Sequence, residues 1–596
     1  MRLSRLHRLS RWGSTALALS LVPAACSTSP RSSSETREVL LPAQASGGPM
    51  RKDEPRASAE VVSTKEAIDF QDDTVERELA QPESMPLAQP KPAPVMGRAE
   101  ASRMAPQKLK APMTPPPPPS TGAAAGARRD MYVASEPPSS GNTFTEHAPN
   151  AFTNTSEDRL STFAVDVDTA SYTVARRYLN QGALPPHAAV RVEEFVNYFK
   201  YRYTPPEQGA FTVHLEGAPS PFNPGRHFLR VGVQGKVISR SQRKPAHLVF
   251  LVDTSGSMQS PDRLPLAQEA MRIAVKNLNE NDTVAIVTYA GSTRDVLGPT
   301  PATDVQRIHS AIDSLSAGGG TAMGSGMELA YKHAVKRAAA NVVSRVIVLT
   351  DGDTNIGPNV GADAMLASIQ KYVAEGVTLS TIGFGMGNYR DDLMERLANK
   401  GNGNCYYIDG YKEAKKVFET QLTGTLEVIA KDVKLQVEFD PNRVRRYRLL
   451  GYENRNVADH DFRNDKVDAG EIGAGHSVTA VYEVELTGEA SAPLGTVFIR
   501  AKTPSGTEAS EQRFPFESKR VHSSLDAASA DFRFALAVAA SADILRASPA
   551  AQGWSLATAQ KLAEGALEGQ SDRAEFAKLM ANARSLLGGT VAHGSP

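Results

Sequence analysis

Cysteine is almost missing from this chain. Only Cys26 and Cys405 occur in 596 residues, which excludes a disulfide framework and any cysteine-built zinc or iron–sulfur site. Excess charge of either sign is missing too: 66 Lys+Arg balance 66 Asp+Glu, so no general basic surface is available for nucleic acid. Beyond the first 25 residues no apolar run is long enough to span a bilayer, which takes about 20 residues. Common catalytic signatures are absent as well. There is no GxSxG elbow, no HExxH and no GxxxxGK[ST] loop, and Gly232–Lys236 (GVQGK) has the wrong spacing and no hydroxyl after the Lys. An enzyme is therefore not expected. What the chain does hold is 39 Pro and 45 Gly, a sign of a large unfolded part, in a length that allows about four domains.

The N-terminus reads as an export signal (residues 1–25). Arg2, Arg5, Arg8 and Arg11 precede an apolar run, Ala16–Ala25, too short to cross a membrane. Ala24 and Ala25 directly before Cys26 resemble a bacterial lipobox, although Pro23 stands where that pattern prefers Leu. The resemblance implies that Cys26 is lipidated and becomes the mature N-terminus; ordinary cleavage after Ala24 or Ala25 is the alternative. Ser27 is compatible with outer-membrane sorting, as the lipoprotein family implies, so the expectation is an exported outer-membrane lipoprotein facing the periplasm or the exterior. Residues 26–150 are rich in Ser, Ala, Pro and charge, with a run at Pro115–Pro119. They are expected to form a disordered tether with a mean reach on the order of 60 Å.

Folding is expected from about Phe152. In residues 151–240, Ser161–Asp168 reads as a strand, Ala170–Asn180 and Arg191–Tyr201 as helices, and Phe211–Glu216 and His227–Gln234 as strands. The spacing Asp166–Asp168–Ser171 lacks the further oxygens of a calcium loop, and Asp168 or Thr169 is read as the N-cap of the first helix. Residues 241–430 alternate between apolar strands and amphipathic helices: strands at His247–Asp253, Thr283–Tyr289, Arg345–Thr350, Val377–Phe384 and Cys405–Ile408, with a short extended piece near Asp295–Leu297. Helices fall at Asp262–Leu278, Asp304–Leu315, Ala322–Arg337, Ala362–Ala374, Asp391–Ala398 and Lys412–Ile429. That alternation predicts an α/β fold, a doubly wound and mainly parallel sheet covered on both faces.

In such sheets a ligand site lies beyond the carboxyl ends of the strands. Asp253-Thr254-Ser255-Gly256-Ser257 follows one strand, Gly318-Gly319-Gly320-Thr321 precedes a helix, and Thr350-Asp351-Gly352 follows another strand. Two carboxylates and three hydroxyls can meet on one rim, a hard-oxygen set suited to Mg²⁺. Asp253-x-Ser255-x-Ser257, Thr321 and Asp351 resemble the metal-ion-dependent adhesion site (MIDAS) of von Willebrand factor A (VWA) domains. The resemblance implies a Rossmann-like VWA domain holding Mg²⁺ (or Mn²⁺ or Ca²⁺). Ser255, Ser257 and Thr321 would bind through hydroxyls, Asp253 and Asp351 directly or through water, with one position left for a partner's acidic side chain. The flanks, including Asp166–Tyr172 (DVDTASY), Val190–Phe199 (VRVEEFVNYF) and Gly451–Arg455 (GYENR), are similar to the companion regions of exported bacterial VWA proteins.

Val433–Phe439, Ser477–Leu486 and Val497–Ala501 alternate with period two, as half-buried antiparallel strands do, and are expected to build, with Phe211–Gln234, a β-rich sandwich-like region across residues 431–520. Residues 521–596 read as an α-helical end, and Cys405 as an inert buried thiol. The function these features predict is an envelope binding or adhesion module that captures a Glu or Asp carboxylate of a protein partner through Mg²⁺. It would be held to the membrane by its N-terminal lipid and bind no nucleic acid. One alternative is a structural lipoprotein whose metal only stabilises the loops; a more remote one is a Mg²⁺-dependent hydrolase.

Overall fold

The computed structural model describes residues 141–339, 341–352, 362–488 and 492–592. The expected signal, Cys26 and the tether up to residue 140 lie outside the described residues. Order begins earlier than Phe152: Thr143 bridges to Arg390, and the Asn150 amide donates to the carbonyls of Leu449 and Gly451 at 3.2 and 2.8 Å. Residues 143 and 150, which fall inside the expected tether, thus bond to the folded body.

In chain order the leading elements are β1 (Thr153–Asn154), β2 (Leu160–Ala164), α1 (Ala170–Asn180), α2 (Val192–Tyr198), β3 (Phe211–Pro219) and β4 (Arg226–Gly235). The middle of the chain supplies β5 (Ala246–Asp253), α3 (Leu264–Lys276), β6 (Thr283–Tyr289), β7 (Thr293–Pro301), α4 (Val305–Asp313), α5 (Met323–Val335) and β8 (Val343–Thr350). It continues with α6 (Ala362–Ala374), β9 (Thr378–Phe384), α7 (Asp391–Lys400), β10 (Cys405–Ile408), α8 (Tyr411–Lys415) and α9 (Leu422–Leu426). Then follow β11 (Val428–Phe439), β12 (Val444–Leu450), β13 (Gly470–Gly473), β14 (Ser477–Leu486), β15 (Gly495–Lys502) and β16 (Ala509–Pro515). Last come α10 (Ala530–Leu545), α11 (Leu556–Glu564) and α12 (Ser571–Ala592).

The middle elements form a six-stranded sheet in the order β10-β9-β8-β5-β6-β7, parallel except for β7, which runs antiparallel to β6. Every residue of β5 is buried, as a central strand covered on both faces requires. Phe250 and Val252 face Ala267, Met271 and Ala274 of α3, while Val249 and Leu251 face Met327 and Ala330 of α5. The adjacent strands β5 and β8 mark the point where strand order reverses, so their carboxyl ends open a crevice.

The flanks combine into one β-sandwich. An antiparallel sheet β1-β12-β14-β4-β3 faces a second, β13-β11-β15-β16, with β2 also paired to β11. Phe163, Val231, Leu435, Tyr482 and Ile499 share its core. Strands from before and after the α/β domain therefore interleave, and that domain is an insertion between β4 and β11. Helices α10–α12, with α1 and α2, cover the outer face of the first sheet in a core that includes Phe199, Phe228, Val481, Phe534 and Phe576.

Two expectations need correcting. Lys412–Ile429 is not one helix: after α8 the turn widens, with Gln421 N–H bonding to the Lys416 carbonyl at 3.0 Å. α9 then ends at Leu426, and Val428–Ile429 enter β11. β14 is not half-buried; its polar positions are enclosed too, Thr479 beneath Tyr203 and Glu483 beside Arg448. No helix among the described residues is long and apolar enough to cross a membrane.

Candidate metal centre

Asp253 ends β5 with both carboxylate oxygens engaged. Ser255 N–H donates to one at 2.8 Å, closing a two-residue Asx turn, and the Thr350 hydroxyl donates to the other at 2.8 Å. Gly352 N–H donates in turn to the Thr350 hydroxyl at 3.0 Å, which fixes the first residues after β8. The turn brings the Ser255 and Ser257 hydroxyl oxygens to 3.0 Å from each other. The third loop is stitched to the first by Gly256 N–H to the Gly319 carbonyl (2.9 Å) and Gly318 N–H to the Thr254 carbonyl (2.8 Å). Gly319 has a φ of +85°, and a side chain there would stand 3.2 Å from the Gly291 nitrogen, so glycine is required for this approach. Ala322 N–H bonds to the Ala290 carbonyl at 2.9 Å and anchors the backbone beside Thr321. Asp253, Ser255, Thr321 and Asp351 are at most 1% exposed and Ser257 is half-buried, so the three loops form a sunken rim.

Burial, and then the negative charge of Asp351, push the Asp253 carboxyl up to about 7 against the hydrogen bonds from Ser255 and Thr350. Two buried carboxylates that repel one another favour a cation beside them. One cation is already near. The Arg263 guanidinium, at the start of α3, donates to Asp351 Oδ2 at 2.6 Å, to the Ser257 carbonyl at 2.7 Å and to the Met386 carbonyl at 2.6 Å. Asn388 Nδ2 reaches the same Asp351 oxygen at 3.0 Å. Gly385 (φ +69°) makes room for Arg263, since a Cβ there would stand 2.2 Å from its Nε. Arg263, Thr350 and Asn388 are not among the ligands that the sequence implies. Only Thr350, next to Asp351, lies within a motif.

Among the described residues no group of three or more His, Cys, Asp or Glu could hold a metal, so the candidate is the mixed carboxylate–hydroxyl set. The donors fit a small hard cation. Adjacent ligands on an octahedron with bonds of about 2.0–2.1 Å stand about 3 Å apart, the separation found between Ser255 and Ser257. Asp166 and Asp168 serve otherwise. Both pair with Arg455 (2.9 and 3.2 Å), and Asp168 accepts Cys405 N–H at 2.8 Å. Of the two cap candidates, Thr169 rather than Asp168 occupies the N-cap of α1, without a side-chain hydrogen bond, and Glu194 of α2 takes the Ser171 N–H at 2.8 Å. Cys405 is buried and free, and burial raises its thiol well above the usual range, in keeping with an inert side chain.

The insertion, its strand order and its rim define a protein of the von Willebrand factor A class. Family models match in series: von Willebrand factor over residues 138–230, von Willebrand factor type A domain over 247–420, and the C-terminal region of uncharacterized protein YfbK over 424–586. The chain belongs to the YfbK family: it is 40% identical over 460 residues to the uncharacterized protein YfbK of Escherichia coli (strain K12), covering 72% of this chain and 79% of that one. It is also similar to the uncharacterized protein sll0103 of Synechocystis, 27% identical over 225 residues, which covers 38% of this chain and 51% of that relative. Among solved structures, a von Willebrand factor type A protein from Catenulispora acidiphila is 18% identical, with 61% of this chain and 88% of that chain covered and a TM-score of 0.38.

Proposed function

We propose that this protein is a binding module that takes up a divalent cation, Mg²⁺ or a close substitute, on Asp253, Ser255, Ser257, Thr321 and Asp351, and uses it to capture an acidic side chain of a protein partner. The observation that carries the reading is the convergence of a carboxylate–hydroxyl set on one sunken rim beyond β5 and β8. A bound cation would supply a point of positive charge for a carboxylate. The chain's own residues orient the ligands: Thr350 and the Ser255 amide hold Asp253, and Arg263 and Asn388 hold Asp351. The loops are already tied by Arg263 and by backbone bonds, so a cation is not needed as a fastener, which favours capture over the purely structural reading. No catalytic step is assigned.

Thermal unfolding of the full chain with and without Mg²⁺ or Mn²⁺ tests this. A metal at ~100 times its dissociation constant adds about 2.7 kcal/mol of stability. Wild type should shift upward, and Asp253→Ala and Asp351→Ala should not. A wild type indifferent to millimolar metal would refute the metal site, and equal affinity for Glu-bearing and Gln-bearing partner peptides would refute capture through the ion. We further propose export and anchoring through lipidated Cys26, on the strength of the Arg-rich start, the short apolar run and Ala24-Ala25-Cys26. Cys26→Ser should then move the protein from the membrane to the soluble fraction; an unchanged distribution would refute it.

A further inference from the structure

We infer that residues 141–143 are a strap that positions the metal site from behind, with Asn142 as its positioning residue, so that lifting the strap weakens metal binding. This rests on the metal reading above and adds a control point to it.

Asn142 Oδ1 accepts two backbone amides of the loop between β9 and α7, Gly387 N–H at 2.8 Å and Tyr389 N–H at 3.0 Å. Its Nδ2 donates to the Tyr178 hydroxyl at 3.0 Å, which ties the strap to α1. Thr143 adds a short stretch of parallel pairing: its N–H bonds to the Tyr389 carbonyl at 2.9 Å, and Asp391 N–H bonds to its carbonyl at 3.2 Å. The Thr143 hydroxyl donates to Asp392 at 3.0 Å.

The other side of the same loop serves the site. Met386 holds Arg263 through its carbonyl, and Asn388 donates to Asp351. Gly352 lies so close that a Cβ on it would stand 2.6 Å from the Arg390 nitrogen. The strap, the loop and Asp351 are therefore stacked in that order. Gly385 and Gly387 both have positive φ, +69° and +106°, so the loop carries two residues free to take other conformations, and Asn142 closes off that freedom. Without it, two amides lose their acceptor and the loop no longer presents Asn388 at a fixed place. Groups bonded directly to a metal ligand, as Asn388 is to Asp351, typically carry about 10–100-fold in affinity, and Asn142 acts through the loop that places Asn388. Linkage makes the effect reciprocal: a bound cation must tighten the strap by the factor that the strap tightens the cation.

The test uses the full chain and Mn²⁺ as probe, with affinity read by calorimetry and amide exchange read at Gly387, Tyr389 and Asp391. Asn142→Leu should weaken Mn²⁺ binding at least tenfold and speed exchange at those amides, with little change in the melting temperature in EDTA. Asn142→Asp, which keeps an acceptor oxygen, should stay within about threefold of wild type. Gly141→Ala is a second variant in case the leucine protein does not fold, because its Cβ would stand 2.4 Å from the Gly387 carbonyl oxygen and push the strap away without removing a polar group. In wild type, Mn²⁺ should slow exchange at the same amides. Variants with fast exchange but wild-type Mn²⁺ affinity would overturn the strap alone. A wild type that takes up no Mn²⁺ would overturn the metal reading, and the strap's role with it.

Discussion

His247, near the start of β5, is fully enclosed, with Nδ1 2.7 Å from the Thr283 hydroxyl. Burial, followed by the nearby positive charge of Arg337, lowers its imidazole from 6.5 to about 4. Above pH 6.5 the ring is neutral in folded and unfolded chain alike and contributes no pH dependence. Between 6.5 and 4 the unfolded chain takes up a proton that the folded chain refuses, so stability falls as pH falls, by about 3 kcal/mol in all. His247→Gln should flatten that limb in urea unfolding at pH 7, 5.5 and 4; an acid limb unchanged in the variant would show that another group carries it. At this scale the candidate site divides sharply in what its sequence reveals. Asp253, Ser255 and Ser257 lie within five residues of each other, and the turn that joins them is local chemistry. Arg263 is 88 residues from Asp351, and Asn142 is 245 from Gly387, and no local pattern marks an Arg or Asn as a reader of a distant carboxylate or amide.

At the scale of elements, the insertion was legible because its parallel strands are largely apolar and its helices carry one apolar face, while the polar edge strand β7 extends well beyond Asp295–Leu297. The boundaries of β5, β6, β9 and β10 fall within a residue or so of those read from the sequence. What escaped were elements whose partners come from far along the chain. β12 (VRRYRLL) carries three arginines and has no strand-like alternation, yet it sits inside a sheet because Arg446 finds Glu485 at 2.8 Å and Arg448 finds Glu483 at 3.0 Å. β16 is polar along most of its length and is held by pairing with β15. Val428 and Ile429 read equally well as the end of a helix or the start of a strand. Pairing of β11 with β13 decides for the strand. Propensity set the prior in each case and tertiary pairing overrode it.

Across the whole molecule, buried ions join the modules. Arg448 is fully enclosed between Glu483 of the sheet and Asp543 of α10, at 3.0 and 2.9 Å. Each acid has a second cation, Arg226 for Glu483 and Arg546 for Asp543. Arg448→Met should therefore cost about 3 kcal/mol, the lower end for stranding buried charge, and should make α10–α12 more open to proteolysis. A loss below about 1 kcal/mol would mean that the remaining pairs are sufficient by themselves. The interleaving of the sandwich has a consequence for how the chain is made. β4 cannot pair with β14 until residues 477–486 have been synthesised, whereas every strand of the inserted α/β domain is present once residue 408 has appeared. The middle of the protein can thus be finished while its flanks still wait, so completion runs from the inside outward rather than from first residue to last. A message cut short after β11 would release a whole inserted domain attached to a β3–β4 hairpin whose β4 edge has lost its partner β14, a species primed to pair with the wrong strand or to be degraded.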